Sequence, residues 1–225
     1  MLCTACIVLF ADEAGAQCMA TAVPHQRLTL RQTPSAQMPP VRVGSADAVP
    51  VWKTIAVGTF ANSLALRNAL DAARCAIGYS AEQILARPAF TVGTTRTDVE
   101  LVAVSAAELG FQTETATLAD IYARAQQLGF GLAAAEVAPQ LRLQYFDQPM
   151  GEFLIIAMVP IETWMGEPVI LTVANGGAGR ILIGQDGSAD TEIPVASRFL
   201  FVRSNEAVLA KAAHGLDEAA ALVHR

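Results

Sequence analysis

Residues 140–159 read QLRLQYFDQPMGEFLIIAMV, and the fold assignment turns on them. Leu141, Leu143 and Tyr145 alternate with Arg142, Gln144 and Phe146, the period-two pattern of a half-buried strand. Phe153 to Val159 is continuously apolar, as a strand buried on both faces would be. Asp147-Gln148-Pro149-Met150-Gly151 between them is a turn by composition. Together these segments predict an antiparallel hairpin. Arg142 and Gln144 would share one face of its first strand, with Tyr145 on the same strand and Asp147 just beyond. A guanidinium beside an amide can hold a carboxylate or phosphate through a planar fork. Arg142, Gln144, Tyr145 and Asp147 are therefore the candidate ligand-binding residues. The bland alternative is an outer sheet face on which Arg142 pairs with a neighbour such as Glu152.

Toward the C-terminus, Val169 to Val173 and Arg180 to Ile183 predict a second hairpin, joined through Asn175-Gly176-Gly177-Ala178-Gly179. A phosphate cradle would need this Gly-rich loop to open into a helix, but Ile181-Leu182-Ile183 is strand-like. Asp186-Gly187 marks a turn, and Arg198 to Val202 closes the sheet. In residues 205–223, Leu209, Ala213, Leu216 and Ala220 recur near helical spacing, which predicts a C-terminal helix.

Toward the N-terminus, Thr117 caps a helix with Asp120 at its third position. Leu118, Ile121, Tyr122, Ala125 and Leu128 form its apolar face and Gly129 ends it. Asp98 to Ser105 is a strand and Phe90 to Val92 a short strand candidate. Asn62 or Ser63 starts a helix whose face is Leu66, Ala69, Leu70, Ala73 and Ile77, stopped by Gly78. Ser80-x-x-Gln83 opens a short helix that Arg87-Pro88 ends. Lys53 to Val57 is a strand ending at Gly58. The fold class expected is α+β, with two or three helices packed on a mostly antiparallel sheet and a C-terminal helix. The core domain spans 51–203 and the C-terminal helix 204–225. Residues 1–50 form an extension or linker, punctuated by Pro24, Pro34, Pro39, Pro40 and Pro50.

Of 225 residues, 53% are hydrophobic and 16% charged, which excludes general disorder. The net charge of −6 disfavours a sequence-independent nucleic-acid binder, although 13 of the 15 basic residues are Arg and a local cluster remains open. No apolar run reaches the length of a membrane span. Ala5 to Ala11 lacks the basic lead of a signal peptide, so the protein is read as cytoplasmic, with export through an atypical N-terminal signal as the alternative. Cys3-x-x-Cys6 has the spacing of half a zinc site, but no trusted second pair follows. No metal or cofactor is therefore expected. Cys75, inside a helical pattern, reads as a small buried hydrophobe.

His25, His214 and His224 all lie near the ends, so a central site works without imidazole. No nucleophile elbow, P-loop or dinucleotide fingerprint is present. Asp98, Glu100, Glu108, Glu136 and Glu152 are carboxylates near apolar strands that could include an acid and base pair. Trp52, Trp164 and Met165 near strand or loop ends could form a partner patch, or pack at the core edge.

Residues 52–203 also resemble an uncharacterised family of short bacterial proteins, many from environmental sequences. The resemblance rests on Lys53-Thr54-Ile55 with Gly58-Thr59, Ile84 to Val92, Asp98 to Phe111 and Asp120 to Ala125. It continues through Gln140 to Tyr145, Asp147-Gln148-Pro149 and Arg198 to Arg203. It implies no activity, since none is assigned to that family. The family commonly carries a more polar, aromatic and acidic stretch where this chain has Ala174 to Ala189. The leading expectation is a small non-catalytic binding module for a protein partner or a small anionic ligand. The alternative is a carboxylate-dependent hydrolase or lyase; a toxin-like or nucleic-acid-processing domain ranks third.

Overall fold

The computed structural model describes residues 41–177 and 179–203. The expected C-terminal helix, the first 40 residues, and with them Cys3, Cys6, Cys18 and the three histidines, lie outside the described residues. The elements in chain order begin with β1 (Lys53–Val57), α1 (Ser63–Ala72), β2 (Ala76–Ile77), α2 (Tyr79–Leu85) and β3 (Thr97–Ser105). Then come β4 (Thr115–Thr117), α3 (Leu118–Gln127), β5 (Phe130–Gly131), α4 (Val137–Gln144) and β6 (Glu152–Ile156). The chain closes with β7 (Ile161–Glu162), β8 (Pro168–Gly176), β9 (Gly179–Asp186), β10 (Glu192–Pro194) and β11 (Arg198–Arg203).

The expected architecture does not hold. Nine strands form one curled, half-barrel-like mixed sheet, and strand outweighs helix at 35% to 23% of the described residues. Four α-helices pack on it, not two or three. The strand order is β1-β3-β11-β6-β8-β9-β2, with β5 against β11 and β7 against β8. Two pairings are parallel, β11 with β6 and β2 with β9. So β11 does not close the sheet at an edge. It runs through the middle, where Phe199 and Phe201 are fully buried. Tyr122 of α3 and Phe130 of β5 pack around Phe201, at ring-centroid distances of 6.4 and 5.4 Å.

The largest local correction is at residues 137–144. The alternating Leu141 and Leu143 belong to helix α4, not to a strand. Six consecutive residues, Val137 to Arg142, are buried, so both helix faces meet protein. Pro139 lies in the first turn, where its missing N–H would have had no intrahelical partner. The α4 helix packs against β1, β8, β9 and α1. The predicted hairpin with 153–159 therefore does not exist. Instead β6 pairs with β8 and β11.

Other expectations stand in part, although α2 starts at Tyr79 behind Gly78 with no side-chain cap, so Ser80 does not open it as a capping box. Thr117 accepts from the Asp120 N–H at 3.1 Å, and Gly129 takes φ +89° just past α3. Asn62 caps α1 through the Ala65 N–H at 2.9 Å. That helix stops at Ala72, however, and Arg74 reverses the chain at φ +55°. Ile77 then serves β2, paired with Leu182, rather than the helix face. The Gly-rich loop is a hairpin turn, with Gly176 opposite Gly179. Phe90 is buried but in no strand. Cys75 is buried, as expected. The packed unit also starts before Trp52, because the Val43 N–H donates to Glu108 O at 2.8 Å and Ala46 is buried. No helix among the described residues is long and apolar enough to cross a membrane.

Candidate functional site

Arg142 is fully buried, with no carboxylate against its guanidinium among the described residues. An ion in that position is costly unless its hydrogens are met. Three oxygens from two segments meet them: Gln148 Oε1 and the Tyr145 carbonyl of one turn, and the Ala174 carbonyl of β8 at 3.1 Å. Nε alone has no partner. Burial above all holds the guanidinium below the ordinary arginine value, and nearby Arg180 pushes the same way. The Gln148 amide extends the network by donating to Val173 O and Glu152 O, both at 3.2 Å. Asn175 Nδ2 donates to Gln148 O at 2.7 Å, and the Gly151 N–H donates to Asn175 O at 2.7 Å. The turn at residues 145–151 is thus bolted to the end of β8 from inside.

The four sequence-predicted site residues split up accordingly. Arg142 offers no solvent-facing surface to a ligand. Gln144 lies two residues further along α4, on another side of the helix, where its amide accepts from Ala56 N at 2.9 Å and donates to Ala56 O at 2.8 Å. It pairs with edge strand β1 as a tenth strand would, and so blunts that edge. Tyr145 donates its hydroxyl to Glu152 at 2.9 Å and meets Trp52 edge to face at 5.2 Å. Burial, then the Glu152 contact, push the Tyr145 phenol up to about 12. Of the four, Gln144 and Asp147 are exposed.

What the bolted turn presents is apolar. Phe146 is 52% exposed, Met150 79% and Phe153 51%. The Arg180 guanidinium stacks on the Phe146 ring at 4.8 Å, and Phe153 lies across Gly176 of the β8–β9 hairpin. In the strand register Arg180 lies opposite Asn175 and Phe153 opposite Ala174, so the two lie on opposite faces. Phe146 with Arg180 on one face and Phe153 on the other, with Met150 in the turn before β6, rim the hairpin end of the sheet. The sequence pattern missed it because Phe146 and Phe153 each sat in a predicted strand. The Pro149–Gly151 turn was the one cue that could have separated them.

Trp52 leaves the expected patch, since it packs against the core. Trp164 and Met165 are exposed at 65% and 82%, with Arg87 stacked on Trp164 at 4.2 Å. The carboxylates are dispersed. Glu108 accepts from the N–H and hydroxyl of Ser105. Buried Glu136 accepts from the N–H groups of Gly58 and Gly93 and from Gln140, which ties two loops to the start of α4. Asp98 and Glu100 do come together, in a groove of roughly 720 Å³ bordered by Thr54, Val137, Val202 and Arg203. Glu100 there lies 3.7 Å from Arg203. No family model, curated protein or solved structure matches this chain.

Proposed function

We propose that this domain is an interaction module that docks an apolar surface of a protein partner on the rim of Phe146, Met150 and Phe153. One observation carries the reading: three large apolar side chains, each more than half exposed, fall within eight residues that span the start of β6 and the turn before it, which a buried hydrogen-bond network holds. Large aromatic and Met side chains concentrate at the centres of interfaces. A turn already fixed in place avoids an ordering cost of about 0.5–1.5 kcal/mol per immobilised side chain on docking. Gln144 blunts the β1 edge, so side-chain contacts rather than strand addition would carry affinity there.

The test is affinity capture with the full chain and with the triple variant Phe146→Ala, Met150→Ala, Phe153→Ala. The partners retained by the wild type should be lost by the triple variant. They should persist with Trp164→Ala, Met165→Ala, which removes apolar surface elsewhere. An unchanged set of partners on the triple variant sinks the reading.

The groove holding Asp98 and Glu100 favours a second reading, a carboxylate-dependent hydrolase or lyase. Residues two apart on a strand share a face, about 6–7 Å apart along it, which suits paired carboxylate chemistry. Hydrolysis of a panel of chromogenic glycosides and esters that disappears in Asp98→Asn and Glu100→Gln would establish it. No turnover by the wild-type chain removes it.

A further inference from the structure

On another part of the surface, two cations converge where the acidic chain offers no described anion. A pocket of roughly 350 Å³ is lined by Arg42, Val43, Leu109, Gly110, Phe111 and Arg124, with Gly44 at its edge. The backbone donors of its walls are already engaged: Val43 N–H with Glu108 O, Gly110 N–H with Ala107 O, and Phe111 N–H with Ala106 O. Arg124 donates Nε to Leu109 O at 3.2 Å and Nη1 to Gln127 at 3.4 Å, which fixes its guanidinium and leaves Nη2 over. Neither arginine forms an ion pair among the described residues. Glu108, the carboxylate nearest in sequence, is turned onto Ser105.

We infer that this pocket binds a compact organic anion, a monophosphate ester or carboxylate whose apolar body sits against Val43, Leu109 and Phe111. Its volume is at the small end of ligand sites, about 300–1,000 Å³, and suits a single ring with one charged group. The free hydrogens of the planar guanidinium suit paired oxygens of a carboxylate or phosphate. In a chain of net charge −6, a spot lined by two arginines and no carboxylate is where an anion is drawn.

The test is calorimetric titration of the full chain with phenyl phosphate, benzoate and the neutral benzyl alcohol. Phenyl phosphate should bind most tightly and benzyl alcohol should give no saturable heat. Arg42→Gln and Arg124→Gln should each weaken phenyl phosphate about tenfold, the loss of one charge-assisted contact. Arg67→Gln, whose native side chain pairs with Glu82, should leave affinity unchanged. Arg42 is exposed, so that variant keeps the test sound if Arg124→Gln folds poorly. No binding of either anion overturns the inference. Equal affinity in Arg42→Gln, equal weakening in Arg67→Gln, or benzyl alcohol binding as well as phenyl phosphate overturns it too.

Discussion

Two turns of this domain expose large apolar side chains, and they are built in opposite ways. The turn at 145–151 is held from beneath by Arg142 and Gln148, whose partners include Ala174 and Val173 on β8. The turn at 163–167 is held by itself. The Thr163 hydroxyl accepts from the N–H groups of Met165 and Glu167, and Thr163 N–H donates to Glu167 O at 2.8 Å. Both expose a Met and an aromatic ring with an arginine stacked on it. Exposure therefore does not distinguish them. What distinguishes them is that one turn is hydrogen-bonded into the core, while the hydrogen bonds that hold the other run among its own residues 163–167. Buried networks of this kind rigidify, while a locally bonded surface turn opens at little cost.

Arg142→Met should break the comparison most severely. It leaves the Gln148 and Ala174 oxygens buried without a donor, an effect of about 3–5 kcal/mol by analogy with breaking buried charged contacts. Urea unfolding measures it, and a loss below 1 kcal/mol (about the net value of one ordinary hydrogen bond) would show the network to be idle. Gln148→Ala should cost about 1–3 kcal/mol, because it strands several polar groups at once. Hydrogen exchange should then quicken over 145–151 and not over 163–167. Equal exchange in both turns of the wild type would erase the distinction.

Thr163→Ala should cost about 1 kcal/mol and quicken exchange only within its own turn. Tyr145→Phe sharpens the comparison by pH. The folded phenol is raised to about 12, above its ordinary value of 10.0, so the folded chain keeps a proton that the unfolded chain releases. That stability is fully present below pH 10 and drains away as pH rises toward 12. Tyr122, also raised by burial, contributes with the same sign. The alkaline loss should shrink in Tyr145→Phe, and an identical pH profile would contradict this. Trp164→Ala and Met165→Ala should each stay within about 0.5 kcal/mol of wild type.

The Arg142 segment also marks the limit of what local pattern can tell. Six residues of alternation suit a strand, yet Val137, Ala138, Leu141 and Tyr145 equally suit a helix. Burial decided the matter, since α4 is enclosed by β1, β8, β9 and α1, which lie far along the chain. Arg142 was legible as special only through its type. That it faces inward, onto an oxygen 32 residues away in Ala174, leaves no local trace. The rim followed the same path, since a turn aims Phe146 outward only once its interior side is occupied.

By itself the sequence determined the pieces whose causes lie within a few residues. These are the Asn62 and Thr117 caps, the Gly129 stop, strands β1 and β3, and the β8–β9 hairpin across its glycines. Capping and turn formation are local contacts, so composition and spacing suffice for them. Only the tertiary structure decided the mixed strand order, the central place of β11, the helix at α4 and the inward turn of Arg142. Each of these depends on which distant surface is there to bury an apolar face or accept a hydrogen bond. That is settled by the whole chain at once.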